Sequence, residues 1–444
     1  MKYHWSIITA LATLLAPAAA MASSGVLTGT LYFWNKNGNY CPSTETCTGA
    51  NYKESKYDTI VGIPEAKLQV IRASDNVVIG TTTLTTTGGY TVSWSSAGTG
   101  NVTAYLRLIY EHKDGVFRMK TTSGSVYANL SANFTLTNAT TAGSPQSFSW
   151  QWGTSASPIT YANAYWAGWM TYQLLDNSNR MVNNFTDVDV YGFDNSAPCS
   201  GTSCADCGTS CARGQYENAG ANPAWAQQKK TVVLDANAAY KPAERMMHEF
   251  GHIADYAARK YRFGTGYGYD GDTGWSSTSL EWRPSALHEG YATFVSMVSL
   301  YDDIATEPRT CLSSSHCYTS GHDVEESHQG SCTTEEGRMA ISATRFFWDI
   351  IDTPNDGSDS LDHSFYVFPD SVAAWPCPNY PACYADGELH DQFSSVSSNL
   401  ASTTVSPGEE DEGNAWDYRN NMLNNYSGAV DVQDQYFNNC MNVF

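Results

Sequence analysis

The sequence predicts an α+β protein in two parts: an all-β sandwich over residues 23–157, then a domain of mixed helices and strands over 158–444. Three observations predict it. Residues 25–157 are rich in Thr, Ser, Gly, Val and Tyr, and apolar and polar residues alternate there in short runs, the period of a half-buried strand. Beyond Ser155-Ala156-Ser157-Pro158 the pattern changes to longer segments with helical spacing, broken by brief apolar runs. The chain of 444 residues is also too long for one small core, so two domains are the natural division.

Taken in order, residues 1–22 read as a secretory signal peptide. Lys2 gives the positive start, residues 7–16 an apolar core, and Ala20-Met21-Ala22 a small-x-small cleavage site. The mature protein is therefore expected to be secreted and extracellular, with no later stretch long enough to span a membrane. Residues 26–33, 66–71 and 104–110 alternate as strands, and Asp75-Asn76, Gly88-Gly89 and Asp114-Gly115 supply turns between runs. Over residues 26–94 the order Gly-x-Leu, then Gly62-Ile63-Pro64-Glu65-Ala66-Lys67-Leu68, then Gly88-Gly89-Tyr90-Thr91-Val92 resembles the transthyretin-like or carboxypeptidase-regulatory-like sandwich. No catalytic cluster occurs in this half, so a structural or recognition module is expected, with a cleavable pro-segment as the alternative.

The second part opens with a predicted helix over residues 162–175, whose Tyr165, Trp166, Trp169 and Tyr172 read as core. A strand over 187–191 leads to a Cys-rich loop and then to the apolar run Thr231-Val232-Val233-Leu234. An extended peptide could add to the edge of that last strand. Pro242 then falls where a helix can begin. The helix carries His248-Glu249-Phe250-Gly251-His252. Positions four apart share a helix face, so both imidazoles can reach one ion. Glu249 lies roughly 100° around from His248, beside the ion rather than on it, where a general base would hold a water. Two neutral histidines suit Zn²⁺, and a carboxylate next to the bound water suits hydrolysis. At Gly251 a small residue lets another backbone approach closely.

Two ligands need a third. A histidine six residues after His252 would mark one arrangement, but Ala258 stands there. Asp255 shares roughly the stripe of His252 and suits support of an imidazole better than ligation. Asp270 and Asp272 remain candidates in a Gly/Tyr/Asp loop. Glu289 is the strongest, on a helix that Pro284 can open and that Leu287, Tyr291, Phe294, Val295 and Val298 make apolar on one side. Ala286, Gly290, Ala292, Thr293 and Ser296 around it are small enough for a second helix to come close. His288 competes but points to a different sector of that helix.

The chain here resembles the gluzincin class of zinc metallopeptidases. His248-Glu249-Phe250-Gly251-His252 matches the His-Glu-x-x-His element, and Glu289-Gly290-Tyr291-Ala292 is similar to the Glu-Gly-x-Ala form of the glutamate-ligand helix. Residues 338–352 are similar to a helix in secreted bacterial proteins of this type, and the resemblance spans about residues 230–360. It implies a zincin-like metallopeptidase domain after the sandwich, with one catalytic zinc held by His248, His252 and Glu289. Glu249 would be the general base that activates a zinc-bound water against a peptide bond. The class usually adds an oxyanion-stabilising Tyr, His or Arg, and Tyr291, His363, Tyr366 and His390 are on offer.

Thr333-Thr334-Glu335-Glu336 is a capping box for a helix running to about residue 351, whose Met339, Phe346, Phe347 and Ile350 are expected to pack on the catalytic pair. The oxygen-rich run 352–359 could bind a structural Ca²⁺, although it lacks EF-hand spacing and a solvated acidic turn is the better reading. A net charge of −21 argues against nucleic acid or an anionic membrane surface as partner, fits a solvated extracellular protein and says little about the substrate, so the protein or peptide substrate is what the resemblance implies. Twelve cysteines fit an oxidising compartment, and disulfides are favoured over zinc for Cys199, Cys204, Cys207 and Cys211. Two other functions are compatible with the same residues: a non-catalytic extracellular binding protein with an idle zincin domain, and a zinc hydrolase acting on a non-peptide bond.

Overall fold

The computed structural model describes residues 22–35, 59–121, 123–140, 143–152, 161–177, 187–192, 198–199, 202–203, 210–213, 230–234, 244–258, 283–300, 309–310, 322–323 and 339–348. The signal segment through residue 21, the 155–158 boundary, Asp270 and Asp272, the capping box, the 352–359 loop, His363, Tyr366 and His390 lie outside those residues. Of the cysteines only the backbones of Cys199 and Cys211 fall within them.

Strands dominate the first half, as the alternation predicts, and the whole is a mixed α+β fold. In order they are β1 (Ser23–Asn35), β2 (Thr59–Gly62), β3 (Ala66–Arg72), β4 (Val77–Thr83), β5 (Gly89–Ser96), β6 (Val102–His112), β7 (Phe117–Lys120), β8 (Ala128–Leu130), β9 (Phe134–Leu136), β10 (Gln146–Ser147) and β11 (Trp150–Trp152). Every second residue of β6 is buried, from Val102 through Ala104, Leu106, Leu108 and Tyr110 to His112, the burial that period-two patterning requires. Each of the three turn signals holds a residue with positive φ: Asn76 at 59°, Gly88 at 78° and Gly115 at 71°.

One sheet is built around β1, which pairs antiparallel with β5 and β2 on one side and parallel with β10 and β11 on the other. The second sheet starts at β4 and β3, continues through β6 and β7, and does not stop there. Strands β12 (Val188–Gly192), β13 (Cys211–Arg213) and β14 (Thr231–Leu234) extend it in the order β7-β12-β14-β13. The β7–β12 and β12–β14 pairings are parallel, and β13 returns antiparallel. One sheet thus runs from the N-terminal strands into the C-terminal half, on both sides of the 157/158 position. Ion pairs reinforce the join: Asp189 of β12, almost fully buried, accepts from Arg118 Nε at 2.5 Å and from Lys120 Nζ at 2.6 Å, both on β7. Strand β14 is an interior strand, with β12 and β13 on its two sides, so the edge expected at residues 231–234 falls instead to β13 among the described residues.

Four helices complete the described fold: α1 (Tyr161–Asn177), α2 (Glu244–Ala258), α3 (Arg283–Leu300) and α4 (Ala340–Trp348). Helix α1 is buried almost all round because it lies between the strands and α2. Tyr165 meets Phe117 of β7 at 5.0 Å between ring centroids, and Phe117 in turn meets Phe250 of α2 edge-on at 5.3 Å. The four aromatics read as core, Tyr165, Trp166, Trp169 and Tyr172, are all buried. A single hydrophobic core runs from Leu27 of β1 to Trp348 of α4.

At the junction of strands and α1 sits Glu65, buried, with φ at 47° after Pro64. Its Oε2 accepts from Trp169 Nε1 of α1 at 2.9 Å and its Oε1 from Lys113 Nζ at 2.7 Å, with His112 Nε2 at 3.3 Å. Burial alone would push this carboxyl up, but the hydrogen bonds from His112, Lys113 and Trp169 outweigh it and hold it at about 2, below the usual 4.5. A depressed folded-state value means that the contribution is fully present above 4.5 and is lost as pH falls through 2. Thermal melts should therefore show a midpoint that drops between pH 4.5 and pH 2, and in Glu65→Gln this component of the drop should be gone, with stability near neutrality lower by about 1–3 kcal/mol.

Candidate metal centre

Helices α2 and α3 carry the site, and their contact is closest where the sequence placed its small residues. A Cβ on Gly251 would stand 2.6 Å from Cα and 2.7 Å from the carbonyl oxygen of Ala292. On the far side of α3 a Cβ on Gly290 would stand 2.4 Å from Ala343 Cβ of α4. Glycine at both positions therefore lets three helices pack backbone to backbone. Ala340 and Thr344 continue the small face of α4, and Thr344 Oγ1 donates to the carbonyl of Gly290 at 3.1 Å.

This approach brings together the three residues that the sequence singled out as ligands. Glu289 Oε2 lies 3.3 Å from His248 Nε2 and 3.3 Å from His252 Nε2. All three residues are buried, and their donor atoms lie within 4.8 Å of one another, so the group could hold a metal ion. The spacing can be tested against an ion: two donors about 2.0–2.1 Å from a tetrahedral centre stand roughly 3.3 Å apart. The separations between Glu289 and each imidazole agree with that, and the donors fit.

Electrostatics points the same way. Burial, then the neighbouring His252, push His248 down to about 3, so its imidazole is neutral near neutral pH. Burial would also lower His252, but the Glu289 carboxylate beside it outweighs burial and raises it. Burial opposes the charge on Glu289, yet the positive charge that His252 takes up beside it holds its carboxyl well below the ordinary range. A buried anion facing two nitrogens calls for a positive charge among them, whether proton or metal.

Thr293, one turn after Glu289, was not among the residues picked out as candidates for the site. Its hydroxyl donates to the Glu289 carbonyl at 2.9 Å and lies 3.2 Å from His248 Nδ1. With its one hydrogen spent on the carbonyl, the oxygen accepts, so Nδ1 of neutral His248 carries the proton and Nε2 keeps the lone pair that faces Glu289. A polar residue four positions from a ligand on a small-residue face is the signal that could have found it.

Glu249 is buried beside the group, with Arg245 Nη1 of the preceding turn 3.9 Å from its Oε1. Asp255 supports an imidazole, as expected, but a different one: its Oδ2 bonds Nδ1 of His288, whose ring lies against His252 at 4.1 Å between centroids. His288 is thereby outside the metal-competent trio. Tyr291, a candidate for the oxyanion, is fully buried among aromatics, edge-on to Phe347 of α4 at 5.6 Å.

No protein-family description and no curated protein matches this chain. Among the described residues no helix is long and apolar enough to cross a membrane.

Gly251→Ala is expected to force α2 and α3 apart, costing about 1–3 kcal/mol in chemical denaturation, with a parallel loss of divalent-metal binding in titration. Thr293→Val keeps the volume but removes the acceptor for His248, and metal affinity should fall roughly tenfold in chelator competition.

Proposed function

We propose that the protein is a secreted zinc peptidase with a zincin-like catalytic domain, hydrolysing peptide bonds at the His248–His252–Glu289 centre. The observation that carries this reading is one carboxylate oxygen 3.3 Å from both imidazole nitrogens, with the buried Glu249 next to His248 on the same helix. Two histidines and a carboxylate are a donor set that suits zinc and leaves a coordination position open. Zinc bound there supplies a Lewis acid for the scissile carbonyl and lowers the pKa of water towards neutrality.

The chain's own residues do the rest. Glu249 takes a proton from the attacking water as its oxygen bonds to the carbonyl carbon, then passes that proton to the amine as the C–N bond breaks. Arg245 lies close to the Glu249 carboxylate and places a positive charge beside it. Thr293 keeps His248 in the tautomer whose Nε2 lone pair faces the ion.

A peptide substrate is favoured over other acyl compounds by the sheet beside the site. Strand β13 lies along α2 and, among the described residues, has a strand neighbour on one side only. Its other side can receive an extended backbone by main-chain hydrogen bonding. The acidic chain, at −21, gives no support for nucleic acid.

Glu249→Gln tests the reading. It should retain one zinc per chain by elemental analysis and lose about 10²- to 10⁴-fold in kcat on a peptide panel. Full proteolysis by this variant, or a wild-type protein without zinc, would sink the proposal. Ester or sugar hydrolysis with no peptide cleavage would keep the metal chemistry and move the substrate class.

A further inference from the structure

The two histidines of the metal group are oriented by different means. His248 has Thr293 at its Nδ1, whereas Nδ1 of His252 is buried with no hydrogen-bond partner among the described residues. A metal-bound imidazole ordinarily gives its second nitrogen to an acceptor, which fixes the plane of the ring. What stands at His252 instead is a ring on each side. His248 meets it edge-on, with centroids 4.6 Å apart and planes at 84°, and His288 lies more nearly parallel, at 4.1 Å and 31°. His288 cannot swing away, because Asp255, fully buried on α2, bonds its Nδ1. Asp255 is one turn after His252 on the same helix, so the link closes a loop: helix α2, Asp255, the His288 ring, the His252 ring and back to α2.

We infer that His288, anchored by Asp255, is a positioning residue that holds the ring of His252 by stacking and so sets its Nε2 towards the shared ion. The inference rests on the metal reading of the trio and names a role for two buried groups that the proposed reaction does not otherwise use. It explains why a non-ligand histidine directly precedes Glu289 on α3: consecutive helical positions point about 100° apart, so the carboxylate reaches the ion while the imidazole lies against its neighbour. Stacking between flat rings at this separation is favourable, and in a packed interior it also blocks rotation.

The test compares two double variants of the full chain that both remove the buried carboxylate and differ only in the ring. Asp255→Leu/His288→Phe keeps a flat ring beside His252 with no unpaired charge, and Asp255→Leu/His288→Ala does not. Zinc affinity is read by competition with a chromophoric chelator, and ligand geometry by the visible bands of the cobalt-substituted protein. The Phe double should stay within about threefold of wild type, with wild-type cobalt bands. The Ala double should bind zinc about ten- to a hundredfold more weakly, with shifted bands.

Equal affinities in the two doubles, whether near wild type or far below it, overturn the inference. His288→Gln serves if the doubles do not fold. It can still donate to Asp255 but offers no ring, so an affinity loss of about tenfold or more supports the role and an unchanged affinity rejects it. A wild-type protein that binds neither zinc nor cobalt fails at an earlier point, the metal reading itself, and is thereby distinguished.

Discussion

The close approach of α2 and α3 at Gly251 and Ala292 is the constraint on which the rest of the site depends. A carboxylate is a short side chain, and it reaches two imidazoles on another helix only if the two backbones nearly touch. Gly251 does this from the position directly before His252, and on the other side of α3 Gly290, directly after Glu289, admits α4. Sequence neighbours on a helix point about 100° apart, so one residue can face the partner helix while the next faces the His248–His252–Glu289 group. Contact and chemistry therefore share one turn of each helix, and α4 closes on the back of α3 through Gly290 and Thr344.

The N-terminal strands take part in this arrangement rather than standing beside it. Helix α1 receives Glu65 from the strands at Trp169, and one residue earlier, at Gly168, it admits Met246 and Phe250 of α2. Phe117 of β7 touches both Tyr165 and Phe250. A path of packed side chains thus leads from the N-terminal strands through α1 to the helix that bears both histidines. The buried carboxylates along it, Glu65 and Asp189, are each held by at least two donors, which is the condition under which a buried charge is tolerated.

Much of this was legible in the sequence, for physical reasons that differ by residue. His248 and His252 could be read because helical geometry alone puts positions four apart on one face. Glu289 could be read because the small residues around it announce a close neighbour. The strands β1, β3 and β6 followed from alternation, and their turns from Asn and Gly at positions that require positive φ. What was not legible depends on contacts between distant segments. Nothing local marks the parallel pairing of β7 with β12, so the continuity of the sheet past residue 157 was invisible. For the same reason β14 was given an edge that β13 covers. Asp255 was expected to support an imidazole, but which one was not legible, since helical spacing relates it to His252 and only the packing of α3 brings His288 to it.

The central place of β1 bears on how the chain is made. Its parallel partners β10 and β11 arrive more than a hundred residues later, with Thr30 of β1 bonded to Ser149 across a separation of 119 residues. Strand β7 likewise waits for β12 to cover its open side. As the polypeptide emerges, these hydrogen-bonding rims stay bare for the time needed to synthesise the intervening stretch, and an uncovered rim is where strands of other molecules add. Delayed closure therefore leaves the N-terminal strands with open edges until residues 146–192 are there to pair with them.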